Sequence, residues 1–228
     1  MKTFITIPHR FDAVVCLHGS LPSDDVFEHL MERPLIAADG AATQLFDRGI
    51  LPEFVVGDLD SIRPDVRDAL MSMSEIVHQP DQETNDFEKA LTFAESMLWK
   101  NILVVGIHGG DLEHTLNNWS VLMRFGRTMQ LAVLDRKRIA LPMFESFAYE
   151  GTEHEIISLI PQPATRITTR GLYWPLNNEQ LELGTREGAR NRATHPRIEV
   201  EVHDGALLFF CDAALPHAPH VREDEALG

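Results

Sequence analysis

Positive charge is scarce in this chain: 20 lysines and arginines stand against 35 aspartates and glutamates, a formal net charge of −15. That imbalance argues against a nucleic-acid partner or an anionic membrane surface. Cysteine is nearly missing, with only Cys16 in AVVCL and Cys211 at the end of LLFFC, both reading as small buried hydrophobes rather than a disulfide or a reactive thiol. No apolar run is long enough to span a bilayer, and the opening MKTFITIPHRF has neither an apolar h-region nor a small-residue cleavage site. A cytoplasmic location is expected. The deficit of cations also sets a condition on phosphate chemistry, because an acidic site holds a polyphosphate only when divalent cations intervene. Clustered carboxylates are therefore the feature to look for.

The length of 228 residues suffices for one large or two modest domains. Up to about Asp135, short apolar runs alternate with helical patterns. Ala13–Leu17, Leu35–Ala38, Phe54–Val56, Ile76–Val77, Ile102–Val105 and Gln130–Leu134 read as strands. The clearest helix is Asp86–Trp99, where Phe87, Ala90, Leu91, Ala94 and Leu98 share one face. Asn85 can cap it, with Glu88 completing a capping box. Such alternation predicts an α/β fold with a mainly parallel sheet covered by helices on both faces. Beyond this point the helical period fades. Glu155–Ile160, Arg166–Thr169, Leu181–Leu183, Ile198–Val202 and Ala206–Phe210 read as short strands punctuated by Gly and Pro, a pattern of a smaller β-sandwich or barrel. The expected division is an α/β domain over 1–135, a β-sandwich over 136–215 and a mobile tail over 216–228.

Four acidic or glycine-bearing stretches follow predicted strands, where open α/β sheets bind ligands. The first is Asp39–Gly40 after LIAA. In GDLDSI, Asp58 and Asp60 are two residues apart and could share one Mg²⁺, which prefers oxygen ligands and shares them with phosphates. A turn rich in Asp explains the same residues equally well, and the DxD pattern also occurs in haloacid-dehalogenase-like phosphatases and in glycosyltransferases. DQETNDFEK places Asp86 in the first helical turn and Lys89 three residues on, fit either for metal and phosphate or for a plain surface ion pair. GIHGGDLEHTLNN puts Gly109 and Gly110 between strand and helix, followed by Glu113 and His114. It lacks the Gly-Lys-Ser/Thr of a Walker loop, and His114 alone reads better as a core or helix-start residue.

In this order the stretches resemble the thiamine pyrophosphokinase family. ADGAAT (38–43) is similar to its ADGGAN, GDLDS (57–61) to GDxDS, DQETNDFEK (81–89) to DxDxTDxxK, and GGDLEHTLNN (109–118) to GGRxDHxLxN. Further on, GLYW (171–174) stands for GLKW and GTREGARN (184–191) for G-T…S-x-S-N. The resemblance implies Mg²⁺-dependent transfer of a diphosphate from ATP to thiamine, leaving AMP, by a homodimer with active sites between subunits. It makes Asp39, Asp58, Asp60 and Asp86 the metal and phosphate ligands, with Lys89 on the phosphate. Gly40, Asp81, Asn85, Gly109, Gly110, Glu113 and His114 line the ATP site in the same comparison. Gln82 reads the aminopyrimidine, and Asn191 and Phe209 come from the partner's thiamine pocket. Departures stand at Asp111 for the family Arg, Glu113 for Asp, Asn85 for Thr, Tyr173 for Lys, Gly188 and Arg190 for two serines, and Phe209 for Trp. The alternatives are a related pyrophosphokinase acting on another hydroxyalkyl heterocycle, or a catalytically weakened ligand-binding or regulatory homologue.

Overall fold

The computed structural model describes residues 4–6, 10–30 and 32–224. It separates into two compact units, Phe11–Arg136 and a second made of Met1–Arg10 with Lys137–Gly228. β1 (Phe4–Thr6) belongs to the second unit.

The first unit alternates strand and helix: β2 (Ala13–Cys16), α1 (Asp24–Glu28), β3 (Leu35–Ala38), α2 (Ala41–Asp47), β4 (Phe54–Gly57), α3 (Pro64–Leu70) and β5 (Glu75–His78). It continues with α4 (Asp86–Ser96), β6 (Asn101–Val105), α5 (Leu112–Phe125) and β7 (Gln130–Asp135). All the strand pairs are parallel, in the order β7-β6-β2-β3-β4-β5. The chain thus builds outward from β2 to β5, then returns to add β6 and β7 on the opposite side. That reversal creates a topological switch point between β2 and β6. β2 and β3 are buried at every position, as the continuous apolar runs require of strands covered on both faces. Asp12 fixes the start of the β2–β6 pairing, its Oδ2 accepting from the backbone N–H groups of Lys100 and Asn101, both at 2.9 Å.

α4 begins where the sequence indicates, since Asn85 Oδ1 accepts from the Glu88 N–H at 2.9 Å. The reciprocal half of the capping box is not made, because the Glu88 carboxylate pairs with Arg124 of α5 instead. The helix ends at Ser96, three residues before the expected Trp99, with Leu98 in the left-handed region at φ 62°.

The second unit is all strand: β8 (Arg138–Met143), β9 (Phe147–Glu150), β10 (Ile156–Arg170), β11 (Glu179–Glu182), β12 (Gly188–Arg192), β13 (Arg197–Asp212) and β14 (Val221–Asp224). Its spine is the antiparallel β10–β13 ribbon. β13 pairs with β8 through Leu207–Asp212 and with β9 through Arg197–Val200, while β10 carries β11 and β12 on its other edge. Four of the expected short strands are thus halves of two long ones. Of the punctuating Pro and Gly residues, Pro161, Pro163 and Gly205 lie at a register shift between Pro161 and Thr165, where the ladder bends without ending.

Two corrections concern the termini. β1 pairs with β14, so the N-terminal strand groups with the second unit and not with an α/β domain of 1–135. The tail expected at 216–228 contains β14, paired with β9 and with Val221 fully buried; 225–228 lie outside the described residues. Local pattern could not show either, because both strands exist through partners distant in sequence.

Phe209 is also reassigned. It is fully buried in the second unit, with the Phe147 and Tyr149 rings at 5.0 and 5.1 Å, and offers no face to a ligand. Phe209→Ala should therefore cost about 3–5 kcal/mol of stability. Chemical denaturation would measure this, and a thiamine-binding defect without destabilisation would contradict the placement.

Candidate active site

Three carboxylates converge at the C-terminal ends of β3 and β4. Asp39, Asp58 and Asp60 each offer an oxygen, all within 4.8 Å of one another. Asp39 follows β3 directly, in the left-handed region at φ 40°, and is 1% exposed. Its approach depends on Gly57, the last residue of β4, where a Cβ would lie 2.8 Å from that of Asp39. Leu59, between the other two aspartates, is also left-handed at φ 69°. Both residues keep that conformation, which costs on the order of 1–3 kcal/mol each, only because the surrounding structure fixes them.

Hydrogen bonding leaves the cluster incomplete. Asp39 Oδ2 accepts from the Ser61 N–H at 3.1 Å, but Asp39 Oδ1 is buried without any partner. Asp58 Oδ1 accepts from the Asp60 N–H at 3.4 Å, and its Oδ2 accepts from Gln82 Nε2 at 2.7 Å and Lys89 Nζ at 3.3 Å. Lys89, 3% exposed, also donates to Asp86 Oδ1 at 3.3 Å. A buried carboxylate oxygen with no donor beside two further carboxylates fits a hard, oxygen-seeking divalent cation. Asp86 stands outside the trio and is tied to it through Lys89.

Beside the cluster a cavity of about 470 Å³ opens at the switch point. Its lining includes Ala38, Ser61, Asn85, Asp86 and the loops after β2 and β6. Gly109, at φ 106°, lets those loops touch, because a Cβ there would collide with Ser20. Gly110 and His114 also line the cavity, so His114 is an exposed wall residue and not a core one. Gly40 sets the start of α2 under the His18 ring. Asn118 links the two helices, accepting from Asn85 Nδ2 and donating to the Ile107 carbonyl, both at 3.3 Å.

Two expected ATP-site residues are not brought in. Asp111, His114, Thr115 and Asn118 line the cavity at helical spacing, which turns Glu113 away; it is exposed and absent from the lining. Asp81 organises its own turn, accepting from the Glu83 and Thr84 N–H groups at 3.2 Å and from Thr84 Oγ1 at 2.7 Å. Residues not singled out from sequence also line the cavity: His18, Gly19, Gln44 and His108. The signal for the first two was available, since HGS follows AVVCL just as GIHGG follows ILVV.

Residues 27–134 match the thiamin pyrophosphokinase catalytic domain, and 147–207 match the thiamin pyrophosphokinase vitamin B1 binding domain. Thiamine pyrophosphokinase 1 of Oryza sativa subsp. japonica is 32% identical over 203 residues, covering 75% of this chain and 76% of the relative. The chain belongs to the thiamine pyrophosphokinase family. Thiamine pyrophosphokinase 1 of Arabidopsis thaliana is 29% identical over 228 residues, covering 86% and 84%. The crystal structure of the Bacillus subtilis thiamine pyrophosphokinase has the same fold, with a TM-score of 0.74 at 24% identity over 89% of this chain and 100% of that one.

In the part matching the family's vitamin B1 binding domain, Asn191 is 7% exposed and clamps the loop before β11. Its Oδ1 accepts from the Trp174 N–H at 3.1 Å and its Nδ2 donates to the Trp174 carbonyl at 2.7 Å. Asn191 and Trp174 border a cavity of about 200 Å³, and Trp174 itself is 59% exposed. Phe209, buried elsewhere in this unit, lies just beyond the match, which ends at 207.

Electrostatics separate the aspartates. Burial, then the charges of Asp86 and Asp58, push the Asp39 pKa up against the Ser61 N–H that lowers it. Asp86 is raised by burial and by Asp58 and Asp60, although Lys89 opposes the shift. Burial also works to raise Asp58, but donors from Asp60, Lys89 and Gln82 prevail and its pKa falls. Lys89 stays charged despite its burial, held up by Asp86 and Asp58.

For Asp39 the folded state holds its proton more tightly than the unfolded chain does. The resulting stabilisation is full below the ordinary carboxylate pKa of about 4 and is lost as pH rises through the elevated folded value. At pH 7 the ionised group therefore costs stability. Asp39→Asn, which tolerates the left-handed backbone, should melt higher than wild type at pH 7 in chelator, with the gain vanishing on acidification below about pH 4. A lower melting temperature at pH 7 would overturn the assignment.

Proposed function

We propose that the chain transfers a diphosphate group from ATP to thiamine, forming thiamine diphosphate and AMP. The observation that carries this is the incomplete Asp39–Asp58–Asp60 cluster beside the switch-point cavity, in a chain of this family. Relatives named for the thiamine reaction favour it over another heterocycle, and the retained aspartates argue against a weakened regulatory copy.

In this reading Asp39, Asp58 and Asp60 hold Mg²⁺, with Asp86 facing the same charge from the first turn of α4. Bound there, the ion neutralises polyphosphate oxygens that an acidic protein would otherwise repel. The primary hydroxyl of thiamine attacks the β-phosphorus of ATP, the bond from that phosphorus to the α,β-bridging oxygen breaks, and AMP leaves with the oxygen. The hydroxyl proton passes to solvent or a nearby carboxylate. Positioning and charge neutralisation carry such a reaction, and no covalent nucleophile is required. Lys89 adds the one buried ammonium among the described residues of the cluster. Gln82 donates its NH₂ to Asp58, which leaves its amide oxygen as acceptor for the amino group of the pyrimidine.

The reading includes a homodimer in which the partner's B1-binding unit closes the site. With Phe209 in the core, the exposed Trp174, clamped by Asn191, is the aromatic face for the thiamine ring. A cytoplasmic location agrees with two buried, unpaired cysteines, and no helix among the described residues is long and apolar enough to cross a membrane.

Incubation with ATP, thiamine and Mg²⁺ should yield AMP and thiamine diphosphate in equal amounts, and none with chelator. Asp60→Asn should lower kcat by at least about 10²-fold with its melting temperature preserved. Release of ADP or phosphate without thiamine diphosphate would refute the reaction. In light scattering, an active monomer would refute the shared site.

A further inference from the structure

The His108–Asp135 pair is left without a task by the proposed chemistry. His108 sits in the loop after β6 and lines the 470 Å³ cavity; Asp135 is the last residue of β7. Their side chains meet, Nε2 to Oδ1, at 3.0 Å, and both are partly open to solvent, at 39% and 48%. One contact to a ring nitrogen leaves a carboxylate most of its accepting capacity.

Position gives the pair its meaning. The acidic trio lies at the ends of β3 and β4, and β7 lies three strands from β3. At the usual spacing that is about 14 Å, on the order of an extended nucleoside triphosphate. With phosphates at the trio, the nucleoside must run along the strand ends within the cavity. The lining extends from Ala38 of β3 to His108 in the loop after β6, and Asp135 of β7 adjoins that end of it through its 3.0 Å contact with His108. The ribose hydroxyls are the donors a nucleotide presents there, and a carboxylate is the acceptor that suits them. By analogy, dinucleotide-binding β–α–β folds place an acidic residue near this point for the same hydroxyls.

We propose that Asp135 accepts hydrogen bonds from the ribose hydroxyls of the nucleotide donor, with His108 as the positioning residue that orients it, so that the site selects a ribonucleotide. This rests on the nucleotide reading of the cavity given above. Calorimetry with Mg²⁺ and either ATP, 2′-deoxy-ATP or 3′-deoxy-ATP tests it on the full chain. Wild type should bind ATP about ten- to a hundred-fold tighter than at least one deoxy analogue. Asp135→Ala should bind ATP as weakly as that analogue, with its affinity for the analogue unchanged. His108→Phe should lose part of the discrimination, again through ATP alone, and both variants should melt as wild type does. Equal binding of all three nucleotides by wild type, or an Asp135→Ala loss shared equally by ATP and the analogues, would overturn the ribose assignment and leave the nucleotide site standing. Failure of wild type to bind Mg²⁺-ATP at all would overturn both.

Discussion

Lys89 lies almost wholly out of water between two carboxylates, 3.3 Å from Asp58 and 3.3 Å from Asp86. An isolated ammonium in that place would lose several kcal/mol of hydration, so its burial is possible only with both partners present. The same contacts hold carboxylates from β4 and α4 near one another when their mutual repulsion would drive them apart. Burial raises the Asp39 pKa, whereas at Asp58 the donors from Asp60, Lys89 and Gln82 outweigh burial and lower it. The cluster is partly neutralised by Lys89 on one side and has a buried carboxylate oxygen without a donor on the other.

The sheet supplies the remaining constraint. Parallel strands put all their C-terminal ends on one edge, and the return of the chain from β5 to β6 parts the loops after β2 and β6. The carboxylates stand on neighbouring strands to one side of that parting and the glycine-bearing loop stands on the other. Buried strands cannot move to follow a ligand, so the distance between the carboxylate cluster and the His108–Asp135 pair is set by strand spacing. Left-handed Asp39 and Leu59 are tolerated because the surrounding sheet determines their positions.

Much of this was legible in the chain itself. Apolar runs such as LIAA and ILVV mark the strands, and the residues that follow each run mark the ligand edge. What failed did so for reasons of phase and distance. Glu113 follows the glycines but falls on the wrong side of α5, and periodicity from Asp111 to Asn118 could have shown it. Phe209 aligned with an aromatic of the substrate pocket, yet only the fold reveals that Phe147 and Tyr149 enclose it. β1 and β14 owe their existence to pairing with each other and with β9, partners distant in sequence. Sequence pattern divides the β10–β13 ribbon into pieces because proline and glycine ordinarily end strands, whereas Pro161, Pro163 and Gly205 sit at an irregularity that bends a continuing ladder.

The central claim is that Asp39, Asp58 and Asp60 bind one divalent ion. Its most direct test is titration with Mn²⁺ followed by electron paramagnetic resonance, in the presence of ATP, for wild type and for the three single Asp→Asn variants. The account predicts one high-affinity site in wild type, weakened at least about tenfold in every variant whose fold is intact. Unchanged Mn²⁺ binding in folded Asp39→Asn and Asp58→Asn proteins would contradict it.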